Sequence, residues 1–407
     1  PDAHIRDLAR QHLRQQKNKR PLAALLRGGN IYLGSDKLEA VLPFKPNFQR
    51  DTKEAAYYYY KNGFVEVTAD DIAFKPYDDL KGFIWDDWIL DRPINLESGG
   101  DDWLDCEFGA LMRLVTAGDT ARMSALLSAV GYLLHGHKNP GNARAIIFTE
   151  EKISDDPSGG TGKGLIAQGI GKLVKSAEID SRRLKLEAQF AFQSIVPGVT
   201  RVVHFDDAGP RFQFDYLYPS ITGVMTVERK NQQAIPIPFS DSPKFVITTN
   251  EVLRGRGGSH ERRIFEIEFA DYFNENHTPE QEFGHRLFDD WDAKEWSRFD
   301  RLMLYSVQHY LQNGLVWYRY VNLDWKKVIK NTSPEFGDFV QVFGFEANPP
   351  GTLAPNQTRY EKPALVETFI REHKKDLTPH MLTTWLMVYA KYRGWELLNQ
   401  LGKGKKE

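Results

Sequence analysis

Three patterns of apolar positions divide the chain. Leu111, Leu114, Val115, Met123, Leu126, Leu127, Val130 and Leu134 recur at helical spacing, and Gly118-Asp119 interrupts them, so residues 103–138 predict two helices. Short apolar runs at 143–148, 200–205, 244–249 and 264–269, separated by loops and helix-like stretches, predict buried strands and an α/β core over 143–270. A helix is expected from Leu165 to Val174. Ala56-Tyr57-Tyr58-Tyr59-Tyr60 and Phe64-Val65-Glu66-Val67 flank Asn62-Gly63, the signature of a hairpin turn, in a strand-rich stretch over 21–100. Residues 280–320 return to helical spacing through Phe288, Trp291, Trp296, Phe299, Met303, Leu304 and Tyr310. Ala347-Asn348-Pro349-Pro350-Gly351 marks a linker, and helix-like runs follow at 363–373 and 379–392. The expected organisation is 1–100 strand-rich with a basic arm, 101–140 helical, 141–330 the α/β domain, and 331–407 a linker and small closing module.

Composition adds limits. The chain has 407 residues, 41% hydrophobic and 27% charged, with a net charge of −2, so any nucleic-acid contact must come from local patches. The single cysteine, Cys106, excludes an intramolecular disulfide and a thiolate cluster. No apolar run approaches the ~20 residues that span a membrane, and a cytoplasmic setting is expected. The first residue is Pro1, which suggests a piece of a longer chain. Arg6, Arg10, Arg14, Lys17, Lys19 and Arg20 form a basic arm, either a solvated helix face or a contact for nucleic acid. The four tyrosines, with Trp85, Trp88 and Trp103, read as core packing before base stacking. His135 and His137 have no acidic or thiol ligand nearby in sequence, which speaks against zinc.

Candidate chemistry centres on Pro157-Ser158-Gly159-Gly160-Thr161-Gly162-Lys163-Gly164. Strand, glycine-rich turn, Lys and helix form the layout of a phosphate-binding P-loop. Glycines let the backbone curl its N–H groups toward phosphate oxygens, the helix adds its positive end, and Lys163 reaches the β- and γ-phosphates. Ser158, Gly159, Gly160, Thr161, Gly162, Lys163 and Gly164 are the candidate nucleotide contacts. Gly164 stands where a Ser or Thr hydroxyl normally holds Mg²⁺.

The strand at 200–205 ends in Asp206-Asp207. Asp206 is the candidate metal ligand and Asp207 the candidate that orients water; an ordinary turn is the plain alternative. Lys244–Thr249 ends in Asn250, whose amide can bond a γ-phosphate or simply start a turn. Arg254, Arg256, Arg262 and Arg263 follow, candidates for an arginine finger or for surface ion pairs with Glu261, Glu266 or Glu268. Lys163 to Asp206 spans 43 residues, Asp206 to Asn250 44, and Asn250 to Arg262 12.

In this order Gly-Gly-Thr-Gly-Lys, Val-Val-His-Phe-Asp-Asp, Val-Ile-Thr-Thr-Asn and Glu-Arg-Arg-Ile resemble the superfamily 3 helicases, within them the poxvirus-type primase-helicases of phages, plasmids and mobile elements. The resemblance covers residues 140–310. It implies an AAA+-related α/β core with the Asp-Asp and Asn strands beside the P-loop strand, and a closing module like a winged helix. It also implies ATP and Mg²⁺ as ligands, Lys163, Asp206, Asp207, Asn250 and Arg262 or Arg263 as catalytic groups, and a homo-oligomeric, usually hexameric, ring on single-stranded DNA. The finger would come from a neighbour, since P-loop and post-Asn250 strand are expected on opposite flanks. Residues 221–232 would form a hairpin in the channel, with Arg229 and Lys230 on DNA or, more plainly, as surface cations. No primase triad of acids stands in 1–140, so a primase domain or partner is expected elsewhere, and the setting would be a bacterial cell or phage-infected host. The implied activity is an ATP-dependent replicative DNA helicase. An ATP-switched loader or origin-binding protein without unwinding is the alternative, and a non-hydrolysing relic is a third.

Overall fold

The computed structural model of the chain describes residues 2–17, 19–33, 46–97, 102–152, 159–182, 186, 190–253, 258–345 and 360–395. It divides into two units, Pro1–Gln49 with Lys81–Ile84, and Arg50–Leu80 with Trp85–Glu407. In the first, α1 (Asp2–Gln15) and α2 (Lys19–Tyr32) form a helical hairpin whose turn holds Lys17 in the left-handed region (φ 53). Arg14, Lys17, Lys19 and Arg20 are exposed around that turn.

The second unit opens with β1 (Ala55–Tyr60), β2 (Gly63–Thr68), β3 (Ile72–Lys75) and β4 (Ile89–Leu90) in the order β3-β2-β1-β4. Tyr60 pairs with Gly63, so Lys61-Asn62 makes the turn, one residue earlier than the sequence pattern suggests. The Asn62 amide explains the shift: it donates to the Ile94 carbonyl and accepts from the Ile94 N–H, both at 2.9 Å, and is thereby held beside the chain that follows the hairpin. Tyr58, Tyr59 and Tyr60 are at most 2% exposed and Tyr57 is half-buried, so this strand packs on both faces and offers no platform for bases.

Next come α3 (Glu107–Val115) and α4 (Thr120–Leu134). They are separated where expected, with Gly118 at φ 68 and Asp119 accepting the Arg122 N–H as an N-cap. The α/β core follows: β5 (Ala145–Glu150), α5 (Lys163–Leu173), β6 (Ser176–Asp180), β7 (Val202–Asp206), α6 (Tyr218–Thr222), β8 (Met225–Val227), β9 (Ile235–Ile237), β10 (Lys244–Thr248), α7 (Gly258–Glu261) and β11 (Ile264–Phe269). Five strands form a parallel sheet in the order β11-β5-β10-β7-β6, and β8 pairs with β9 in a separate hairpin. The Asn250 strand, β10, therefore lies beside the P-loop strand, β5. The Asp-Asp strand, β7, lies one place further out rather than beside β5. The strand after Asn250, β11, is the other neighbour of β5 and not on an opposite flank.

Alternation along β5 sends side chains to two cores. Ile146 and Phe148 join α3, α4, α5, the small sheet and α9 (Ala293–Asn313); Ala145 and Ile147 join Phe205, Phe245, Phe212, Phe214 and the β8–β9 hairpin. The short α8 (Pro279–Phe283) precedes α9 and starts with a capping box of Thr278 and Gln281. Helix α9 crosses α4 at Gly131, where an added Cβ would lie 1.9 Å from the Ser306 carbonyl. Arg92 and buried Asp300 pair at 2.6 Å, and burial pushes the Asp300 acid up to about 6 against the pull of Arg92.

The closing module is α10 (Leu323–Asn331), α11 (Pro334–Phe343), α12 (Lys362–His373) and α13 (Pro379–Arg393), packed on Phe336, Phe339, Phe369 and Leu382. Among the described residues it contains no strand, so the expected winged helix has helices without a wing there. The linker at 347–351 lies outside the described residues. Among the described residues no helix is long and apolar enough to cross a membrane.

Candidate active site

All strands of the large sheet run the same way, so their C-terminal ends gather loops at one edge. The loop after β5 reaches that edge with Gly159, Gly160 and Gly162 at φ 71, 80 and 91, the left-handed region that glycine enters without strain. Such runs turn successive N–H groups to one side and make anion-binding concavities. Gly162 caps α5, and a Cβ there would meet Val115 Cγ1 at 3.0 Å. At Gly164 an added Cβ meets nothing within 4 Å, so packing does not require glycine at that position. Ser158 lies outside the described residues.

Lys163 opens α5 and is 7% exposed. Its Nζ donates to Glu150 Oε1 at 2.6 Å, Asn250 Oδ1 at 2.7 Å and Thr161 Oγ1 at 3.0 Å, which uses all three ammonium protons. Burial lowers the Lys163 pKa, opposed by Glu150 first and then by Asp207 and Asp206. The structure thus brings Lys163, Asn250 and the two acids to one edge from three neighbouring strands.

Asp206 ends β7 and Asp207 follows in the left-handed region (φ 50). Thr248 fixes both: its hydroxyl donates to Asp206 Oδ1 at 2.8 Å and accepts the Asp207 N–H at 2.9 Å. Beyond it, Thr249 donates to the Ala208 carbonyl at 2.6 Å, which carries the β7–β10 union past the strand ends. His204 Nε2 stands 3.6 Å from Asp206 Oδ1; burial lowers its pKa while Asp206 and Glu178 oppose. Arg182 pairs with the Asp207 carboxylate.

Arg262 and Arg263 stand away from this edge. Both precede β11, and the Ala145 N–H bonds the Arg263 carbonyl at 2.8 Å, so they lie where β5 begins, while Lys163 follows where β5 ends. Six strand residues separate the two places by about 17–20 Å. Arg262 is exposed, with Nε on the Gly258 carbonyl at 3.0 Å. Arg263 is held by Ser259 at 2.7 and 2.8 Å and lies over the Tyr218 ring at 4.9 Å. The acids expected as alternative partners are engaged elsewhere: Glu261 with Lys391, Glu266 with Lys327, and Glu268 with backbone N–H groups. Arg254 and Arg256 lie outside the described residues.

The hairpin expected over 221–232 is β8–β9. Arg229 donates to the Ile195 and Gln193 carbonyls at 2.8 and 3.3 Å, which ties the hairpin to the segment before β7, while Lys230 is exposed near its tip.

Sequence reasoning missed Glu150, Thr248 and Arg182. An acid closing an apolar strand just before a glycine-rich loop was the available signal for Glu150, and the first Thr of Thr-Thr-Asn for Thr248. Nothing in the sequence singles out Arg182.

A magnesium nucleotide fits the donor set. The nest and Lys163 suit phosphate, and Asp206 and Asp207 suit a hard cation or its waters. Among the described residues no group of three His, Cys, Asp or Glu could hold a metal, so phosphate and water must complete any coordination of Mg²⁺.

No model of a known protein family matches this sequence, and no curated protein matches it. Among solved structures, the A-form apo C-terminal region of NrS-1 aligns with 84% of this chain and 88% of its own, at 12% identity and TM-score 0.38. A second structure of that region, spanning its residues 305–718, gives 84%, 89%, 13% and 0.37. A ligand-bound JCV helicase aligns over 59% of this chain and 71% of its own, at 16% identity and TM-score 0.26. At these identities and scores the likenesses assign no residue and no activity to this chain.

Proposed function

We propose that this chain is an ATP-driven DNA helicase of the superfamily 3 type, working as a ring on single-stranded DNA. One observation carries the reading: Lys163, Asn250 and the Asp206-Asp207 pair, spread over 88 residues of sequence, converge at one edge of three adjacent parallel strands beside a glycine nest. The motif order of the sequence supports it independently. Lys163 and the nest bind and orient the phosphates. Asp206 would hold Mg²⁺, directly or through water, and the ion when bound would supply positive charge beside the phosphates. Asp207 orients the attacking water and draws on its proton, and Asn250 fixes that water from the neighbouring strand. Arg262, or Arg263, stabilises phosphate charge in an adjoining subunit. Lys230, and Arg229 where it is released from its carbonyls, contact the DNA backbone without base preference, as a translocating motor requires.

Strand displacement from a forked duplex tests the proposal, with Lys163→Ala and Asp207→Asn as controls. Both variants lose ATP turnover and unwinding, and Asp207→Asn retains the better ATP binding because its side chain touches no phosphate. Turnover without displacement identifies the loader reading. No turnover in the unaltered protein, despite ATP binding, identifies a relic, and Asp207→Asn with near-normal turnover removes Asp207 as the water-orienting acid.

A further inference from the structure

We infer that Glu150 is a built-in rival of the nucleotide: its carboxylate holds the Lys163 ammonium and stands as a like charge against any phosphate that comes to the same nitrogen, so it lowers nucleotide affinity and speeds product departure. The inference rests on the nucleotide site proposed above.

The three protons of Lys163 are all engaged, so a phosphate oxygen can reach Nζ only by replacing one acceptor. Two of those acceptors, the Thr161 hydroxyl and the Asn250 amide, are neutral. Glu150 is the charged one and, at 2.6 Å, the shortest contact. It is 3% exposed, so water screens it little from a dianionic or trianionic phosphate on the same nitrogen.

Glu150 also cannot retreat easily. It ends the strand enclosed between β11 and β10, pairs in register with Phe269, and its carbonyl accepts from Lys326 Nζ at 2.6 Å. The carboxylate therefore stays near the phosphates, as a like charge within a few ångströms. Its presence has a reason in the burial of Lys163, since an ammonium this deeply buried needs an anion beside it. As the product leaves, Lys163 is left to Glu150 and its two neutral acceptors, and the like-charge contact is relieved.

The test uses the full chain, Mg²⁺ and the fluorescent nucleotides mant-ADP and mant-ATP, with equilibrium titration and stopped-flow dissociation. Glu150→Gln keeps an acceptor for Lys163 and removes the charge. It is expected to bind mant-ADP about tenfold or more tighter than the unaltered protein, mostly through slower dissociation. Glu150→Asp keeps the charge but draws it back from Nζ, and gives a smaller gain in the same direction. Damage to the loop would weaken binding, so a gain separates rivalry from a structural role. Where Glu150→Gln does not fold, the direction of change in Glu150→Asp decides alone. If the unaltered protein binds and the variants bind equally or more weakly, the rivalry is overturned while the nucleotide site stands. If neither nucleotide binds any form, the nucleotide site falls and the rivalry with it.

Discussion

Gly164 sits in open space on the first turn of α5, and that makes its missing hydroxyl a matter of chemistry rather than packing. Gly164→Ser should melt no lower than the unaltered protein, since serine is favoured over glycine in a helix by roughly 0.5 kcal/mol. The Mg²⁺ concentration for half-maximal turnover should fall severalfold. A drop in melting temperature would show that the backbone needs glycine after all. His135 acts on stability through pH. It is 2% exposed, its Nε2–H donates to the Thr52 carbonyl at 2.7 Å, and burial, helped by Lys244 and His137 and opposed by Asp51, pushes its pKa from 6.5 to about 4. Between those values the unfolded chain binds the proton and the folded one does not, so stability falls as pH drops through that window, by about 3 kcal/mol in all. Asp300 works the other way, because its folded pKa is raised above 3.8, and it stabilises as pH falls below about 6. Urea denaturation of His135→Gln against the unaltered protein cancels Asp300, and the variant should lose about 3 kcal/mol less between pH 7 and pH 4. None of this was legible in the sequence, where His135 reads only as a residue closing a helix: its burial depends on Thr52 and Lys244, far away along the chain.

Helix α10 illustrates how an element is placed by residues outside it. Glu268, fully buried on β11, accepts the N–H groups of Val321, Asn322 and Leu323 at 2.6, 2.8 and 2.6 Å, a carboxylate capping the start of a helix that belongs to the closing module. Lys326 on the Glu150 carbonyl and Asn322 on the Glu151 carbonyl at 3.2 Å fasten the same helix to the end of β5. Glu268→Gln removes the charge and turns one acceptor into a donor facing N–H groups. It should destabilise the protein by about 2–4 kcal/mol, and amide exchange over residues 323–331 should rise before that over β5. Equal protection in both proteins would mean that packing, not the cap, holds α10. Elements carried by local pattern were readable from sequence: α3 and α4 break at Gly118-Asp119, and the strands at 145–150, 202–206, 244–248 and 264–269 lie within two residues of their apolar runs. Strand order was not, because β10 enters between β5 and β7 through contacts that no local periodicity encodes. The hairpin turn moved by one residue for the same reason, since Ile94 decides where Asn62 sits. In the site, Lys163, Asn250 and the acid pair were legible as motifs, whereas Glu150 and Thr248, each marked by its place in the sequence, showed their partners only once three strands stood side by side.

Across the whole molecule the sheet has two unlike ends, with Lys163 and the acids at one and Arg262 at the other. The finger role proposed for Arg262 therefore needs a second subunit, not because its strand is remote but because β5 lies lengthwise between arginine and phosphate. ATP turnover per subunit should rise with protein concentration, and Arg262→Ala should keep ATP binding while turnover falls by about 10³-fold or more. Turnover that is as fast in dilute monomer as in assembled protein would remove the finger. In the head-to-tail ring proposed above, each end of the sheet meets the other end of a neighbour, the kind of contact that closes into a ring or runs on as a filament. Every member of the queue then serves the one ahead and is served by the one behind. A Lys163→Ala subunit silences its own seat, an Arg262→Ala subunit silences its neighbour's, and one carrying both silences two. Doped sparingly into unaltered protein whose seats fire independently, the double variant should therefore lower turnover about twice as steeply as either single one.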